Sequence, residues 1–273
     1  MDKVISHTSS DFRKIWWYLF YTFTIAWGAE FLLIPAYYFK LLSGGLGQFL
    51  HFAVIGFGAG MAPAYAAFIT AKKYQAITVP EFCKQIFFTR DFRQTVLFTA
   101  AFSIIQFIVC RMQETYLGNP WYLFILFIPL MIFGGGLEEI GWRGLLQPLL
   151  EKKLPFFIAA IIESFIWSIW HLPLWLVQNT TQASMDFTAF TLYCITLGCT
   201  LAAVHRLTKS IWASVLIHAW GNTVLGGMYT ISTLIKFPSK KTIAIYTIQL
   251  ILIAVIIRIF DSKDKQRTSS INE

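Results

Sequence analysis

Apolar runs of about twenty residues recur along the whole of this 273-residue chain, and about twenty is the number an α-helix needs to cross a bilayer. Lipid offers the backbone no hydrogen-bond partner, so such runs must satisfy their peptide groups internally. They cover residues 15–38, 47–71, 95–111, 120–150, 155–178, 187–205, 211–235 and 241–260 in approximate bounds. The expected fold is all-α: a polytopic membrane protein of about eight transmembrane helices around a buried polar cavity. Only 13% of the residues are charged, where a soluble domain has about 25%. The whole of 1–273 reads as one integral membrane domain, with a catalytic core at 120–235 and a disordered tail at 261–273.

The net charge of +8 is explained by topology and not by nucleic acid. With eight spans, the side of the N-terminus holds Lys3, Arg13, Lys14, Lys72, Lys73, Lys84, Arg90, Arg93, Lys152, Lys153, Arg206, Lys209, Arg258, Lys263, Lys265 and Arg267. The other side holds only Lys40, Arg111, Lys236, Lys240 and Lys241. Cytoplasmic loops carry the excess of Lys and Arg, so both termini are expected in the cytoplasm. The compact size and the lack of a cleavable signal point to a bacterial cell membrane, with the first apolar segment kept as an anchor. The basic 72–93 connector could also meet anionic lipid, but topology alone explains it. Cys83, Cys110, Cys194 and Cys199 show no metal or redox spacing.

Ionisable residues inside a span are costly and read as functional unless paired. Three spans each present a polar cluster. Glu138, Glu139 and Arg143 sit in the fourth, where Glu139 and Arg143 are four apart and share a helical face. That leaves Glu138 free to point elsewhere. His171 lies in the fifth, four residues after Trp167 and two before Pro173. His218 and Asn222 lie four apart in the seventh. At about 1.5 Å of rise per residue, their depths are roughly 18 Å for Glu138, 24 Å for His171 and 10 Å for His218, close enough to share one cavity. A carboxylate beside an imidazole can take a proton from water. A second imidazole and an amide can stabilise an oxyanion. Glu138, His171 and His218 are equally a sufficient ligand set for a catalytic divalent metal such as zinc. Both chemistries remain open at this point.

These motifs, Glu138-Glu139-x-x-x-Arg143, an aromatic four before His171, and His218-x-x-x-Asn222, resemble those of the CPBP intramembrane proteases. That family includes CAAX prenyl endopeptidases of the Rce1 type and bacterial bacteriocin-processing or Abi proteins. The resemblance covers roughly residues 120–235. It implies an eight-helix core with its active site open to the cytoplasmic half. It also implies that Glu138 and His171 activate water, that His218 and Asn222 form the oxyanion site, and that Glu139 and Arg143 orient site or substrate. One departure is Trp167, where the family usually has Phe. Trp is still flat and apolar, so packing is expected to change more than chemistry. The family has been described both as metalloproteases and as metal-independent glutamate proteases, so a cofactor is left open.

The expected partners are membrane lipids and a membrane-bound protein or peptide substrate: a prenylated CAAX protein, a bacteriocin or peptide leader, or another anchored peptide. The rival readings are a non-enzymatic immunity or scaffold protein of the same fold, and a transporter. No HExxH or GxSxG motif is present, and no inverted repeat is visible. Glu163, two turns before His171 in the same apolar stretch, could back the site, but reads rather as structural or near the cytoplasmic edge. Glu30, Gln106 and Gln249 read as packing or hydrogen-bond partners, and His51 and His205 as residues of span ends.

Overall fold

The computed structural model describes the backbone of residues 2–269 and the side chains of 11–261. Among the described residues there is no strand, and seven helical stretches are long and apolar enough to span a membrane: Asp11–Tyr38, Gly44–Gln75, Phe92–Gln113, Leu123–Glu151, Phe156–Trp175, Phe187–Thr208 and Lys240–Asp261. The chain is an integral membrane protein. Its helices are α1 (Asp2–Tyr38), α2 (Gly44–Ala53), α3 (Ala62–Gln75), α4 (Val79–Ile86), α5 (Phe92–Gln113) and α6 (Leu123–Phe133). The single turn α7 (Glu139–Gly141) and α8 (Gln147–Glu151) follow, then α9 (Phe156–Trp170), α10 (Phe187–Thr208), α11 (Ile211–Val224), α12 (Ser232–Ile235) and α13 (Lys240–Ser269).

The expected single span over 211–235 is not one helix. Helix α11 has 14 residues, about 21 Å of rise, and a bilayer core is about 30 Å thick. The chain leaves helical geometry at Leu225 and turns at Gly226, whose φ of +89° favours glycine. The crossing is nevertheless completed. Ile211 starts beside the C-terminal end of α10, whereas the amide of Asp186, the N-cap of α10, donates to the carbonyl of Leu234 at 2.7 Å. Irregular backbone at this depth requires partners from the protein, and it has them. The amide of Leu117 donates to Met228 O and that of Thr230 to Thr115 O, each at 2.9 Å, and Asn119 Nδ2 donates to Gly227 O at 2.8 Å.

One end of the bundle gathers the loops that carry most Lys and Arg. Lys152 pairs with Asp11 at 3.1 Å, Arg206 pairs with Glu151 and Asp261 at 2.9 Å each, and the amide of Arg90 reaches Thr208 O. The tail expected to be disordered from 261 continues α13 as helix to Ser269. No Gly or Pro interrupts it, and the Arg206 pairing fastens its first residue. Residues 270–273 of that expectation lie outside the described residues.

Helix α10 is the axis of the fold. Fourteen of its 22 residues are buried, and Gly198, Cys199, Ala202 and Ala203 let α9, α11 and α13 approach closely. Gln249 Nε2 donates to Gln106 Oε1 and Thr200 Oγ1, which ties α13, α5 and α10 together. By contrast α6 buries none of its residues fully; one face is exposed, and the other packs on α11, with Phe124 stacked on Trp220 at 5.3 Å.

Candidate active site

The site is built on a break. Helix α6 stops at Phe133, and Gly135 takes a φ of +148°, a conformation L side chains rarely adopt. The chain resumes in a single 3₁₀ turn, Gly136–Glu138, which turns Glu138 inward. The paired carboxylates therefore stand at the start of a new helical segment and not within one continuous span.

Glu138, His171, His218 and Asn222 converge there, and each of the first three spends one polar atom on holding its position. Trp167 Nε1 donates to Glu138 Oε2 at 2.7 Å. His171 Nδ1 lies 2.9 Å from Trp167 O. A carbonyl only accepts, so Nδ1 carries the proton and Nε2 is left with its lone pair. Helix α9 ends one residue before His171 because Pro173 cannot continue it. His218 Nδ1 lies 2.8 Å from Glu139 Oε1.

Glu139 does not face the reaction space. Its second oxygen pairs with Arg143 Nη1 at 2.9 Å, and the same guanidinium pairs with Glu163 Oε1 at 3.1 Å and donates from Nη2 to Gly198 O at 3.0 Å. All three charged side chains have no exposed surface. A buried arginine between two carboxylates satisfies the requirement that buried charges be paired. The cluster thus acts on the site through His218.

Asn222 completes the set. A Cβ on Gly135 would stand 2.7 Å from Asn222 Nδ2 and 3.0 Å from His218 Nε2. Glycine at this position therefore leaves a space between two nitrogens, which is where an oxyanion would need its donors. Asn222 Nδ2 reaches Gly134 O only at 3.5 Å, so it remains free to turn to a substrate.

Three members escape a reading of the sequence by motif alone. Trp167 changes chemistry as well as packing: its indole N–H binds Glu138, and its ring meets those of His171 at 5.5 Å and His218 at 5.2 Å. A Phe would keep the ring contacts and lose the donor. Glu163 sits at the centre of the ion cluster and not at the edge. Its signal was present, since 163, 167 and 171 are each four apart and share one face of α9. Glu30 is buried on α1, with Oε2 lacking a hydrogen-bond partner among the described residues. Trp27 Nε1, three residues before it, donates to Trp170 O at 2.9 Å, which sets α1 against the end of α9. His51 pairs with Tyr37 outside the site.

Glu138, His171 and His218, the possible ligands if a metal is used, do not form a ligand set as arranged. Among the described residues no group of three His, Cys, Asp or Glu side chains is disposed to hold a metal ion.

Residues 120–224 match the family model described as type II CAAX prenyl endopeptidase Rce1-like. Over 59 residues the chain is 37% identical to CAAX prenyl protease 2 of Methanococcus maripaludis, an alignment that covers 20% of this chain and 22% of that protein. The chain therefore matches about a fifth of that relative's length. The matched segment carries all six motif residues, and it supports the CPBP resemblance where those motifs lie.

Proposed function

We propose, from the premise that residues 120–224 carry the core of a CPBP-type protease, that this chain is an intramembrane endopeptidase hydrolysing a peptide bond of a membrane-associated protein or peptide. A water held between Glu138 Oε1 and His171 Nε2 loses a proton to the carboxylate and attacks the scissile carbonyl carbon. The carbonyl oxygen becomes an oxyanion in the space beside Gly135, facing Asn222 Nδ2 and His218 Nε2. His218 donates there from Nε2 as an imidazolium, with its Nδ1–H held by Glu139 Oε1. The C–N bond then breaks, and the proton on Glu138 passes to the departing amine. Glu139, Arg143 and Glu163 touch none of the reacting atoms; they hold His218.

The observation that carries this reading is the convergence of one carboxylate, two imidazoles and one amide on a buried space kept open by a glycine. A static ion pair stapling helices would not need the glycine-lined space beside Asn222 Nδ2 and His218 Nε2. The end bearing most Lys and Arg, with both chain ends, belongs in the cytoplasm on the positive-inside rule. The test is proteolysis of a membrane-anchored peptide library by purified wild type and by Glu138→Ala, both shown to be folded. Cleavage by wild type that is lost in the variant is expected, whereas equal cleavage by the two sinks the mechanism.

A further inference from the structure

The two ends of the site are not equivalent. Towards the Lys/Arg-rich end it is closed: Trp142, Arg143, Leu146 and Gln147, all without exposed surface, fill the bundle directly beyond Glu139. A cavity of about 210 Å³ on that side stops at Ile140 and Gly144 and reaches none of the site residues. Towards the other end lies a groove of about 780 Å³, within the ordinary range for a ligand site. Its floor includes Gly134 and Asn222, the flanks of the oxyanion space. Its walls are Leu130 and Met131 of α6, the turn at Thr181 and Gln182, and the 225–235 segment with Ser232 and Ile235. Among the described residues no charged side chain lines it.

We propose that this groove is the substrate path: an uncharged, largely apolar peptide segment, unwound from helix, lies in it and reaches Glu138 from the end of the molecule opposite the Lys/Arg-rich one. The inference rests on the endopeptidase reading above and deepens it. Apolar walls take the side chains. Unwound peptide groups need partners at membrane depth, and the hydroxyl of Thr181 and the amide of Gln182 supply them. A charged side chain would find no counter-charge there and would be strongly disfavoured. Access from this end differs from the access to the cytoplasmic half that the family resemblance implies. With the Lys/Arg-rich end in the cytoplasm, the segment arrives from the outer leaflet side.

The probe is a benzophenone-bearing peptide of leucine, alanine and serine with neutral ends, beside a twin carrying two lysines, each photo-cross-linked to Glu138→Gln in liposomes. Adducts are expected within 123–133 or 225–235, with the charged twin weaker by about tenfold or more. In a second arm, a membrane-impermeant thiol reagent is offered to Thr181→Cys in sealed vesicles. Thr181 and the native Cys83, which sits on α4, are both exposed, so labelling of the two from opposite faces is expected. Adducts confined to other helices, or both thiols labelled from one face, overturn the proposal. Because cross-linking reads binding, it separates the two claims. Cleavage with adducts elsewhere leaves the endopeptidase and removes the groove, while adducts in the groove without any cleavage do the reverse.

Discussion

Trp167 binds both halves of the proposed water-activating pair: its indole nitrogen lies 2.7 Å from Glu138 Oε2, and its backbone carbonyl lies 2.9 Å from His171 Nδ1. One residue thus selects the carboxylate oxygen that remains for water and the imidazole nitrogen that remains to share it. Trp167→Phe keeps the ring and the carbonyl and removes only the indole donor. A hydrogen bond to a charged group contributes about 1.5–3 kcal/mol. If that is expressed in the transition state, kcat falls by about tenfold to a hundredfold. KM should change little, because the indole does not face the groove. Steady-state kinetics of the variant measure this, and an unchanged kcat would show that the bond is incidental.

The space beside Gly135 makes a separate claim. Gly135→Ala would put a methyl within 3.0 Å of both His218 Nε2 and Asn222 Nδ2, and its φ of +148° is one that L residues rarely adopt. The strain costs about 1–3 kcal/mol. The methyl also occupies the volume meant for the oxyanion, so kcat should fall by at least about a hundredfold. Glu138→Gln cross-linking through the groove should survive when combined with this change, which separates a blocked reaction space from a collapsed fold.

The sequence made most of the candidate site legible because charge and histidine are conspicuous in apolar spans, and because four-residue spacings put Glu139 with Arg143 and His218 with Asn222 on shared faces. The all-helical membrane fold was legible for the same reason. What sequence periodicity could not show was where helices stop. The break at Gly134–Gly135 and the exit from α11 at Leu225 both lie inside apolar runs, and hydropathy does not distinguish a helix from irregular backbone lining a cavity. Nor could it show direction: the groove opens at the end poor in positive charge, a fact of side-chain packing at Trp142, Arg143 and Gln147.

Glu163 tests the buried cluster. Removing one partner of a buried ion pair typically costs about 3–5 kcal/mol, because the remaining charge stays buried. Arg143 would keep Glu139, so Glu163→Ala should fall towards the lower part of that range. A clear drop in thermal unfolding temperature in detergent is expected, together with loss of activity through the displaced Arg143–Glu139–His218 chain. Wild-type unfolding temperature in a folded Glu163→Ala protein would show that the contact carries no stability.

Metal removal probes the donor geometry directly. His171 Nδ1 and His218 Nδ1 are held by Trp167 O and Glu139 Oε1, which leaves both Nε2 atoms outward, yet among the described residues no group of three His, Cys, Asp or Glu side chains is disposed to hold a metal ion. Water activation by the chain's own carboxylate and imidazole predicts that activity after exhaustive chelation and dialysis stays within about twofold of untreated enzyme. Activity that vanishes and returns only with zinc would replace this mechanism.

The last prediction concerns the wall of the groove. Glu114, at the C-terminal end of α5 and outside its span, accepts hydrogen bonds from the hydroxyls of Thr230, Ser232 and Thr233 and from the amides of Ser232 and Thr233. Burial alone would raise its pKa, but bonds from Ser232, Thr230 and Thr233 outweigh burial and hold it below the ordinary glutamate value. A depressed carboxylate contributes stability above its unfolded pKa of about 4.3 and loses it as pH falls through the lower folded value. The clasp is therefore fully closed at neutral pH and opens only in acid below the ordinary glutamate range. Glu114→Gln should open it at pH 7, since an NH₂ then faces an array of donors, at a cost of about 1–3 kcal/mol. Amide exchange across 228–235 reads this out, with faster exchange expected in the variant at pH 7 and in wild type only in strong acid. Wild-type exchange that already accelerates between pH 7 and 5 would mean that Glu114 is not the group holding the wall in place.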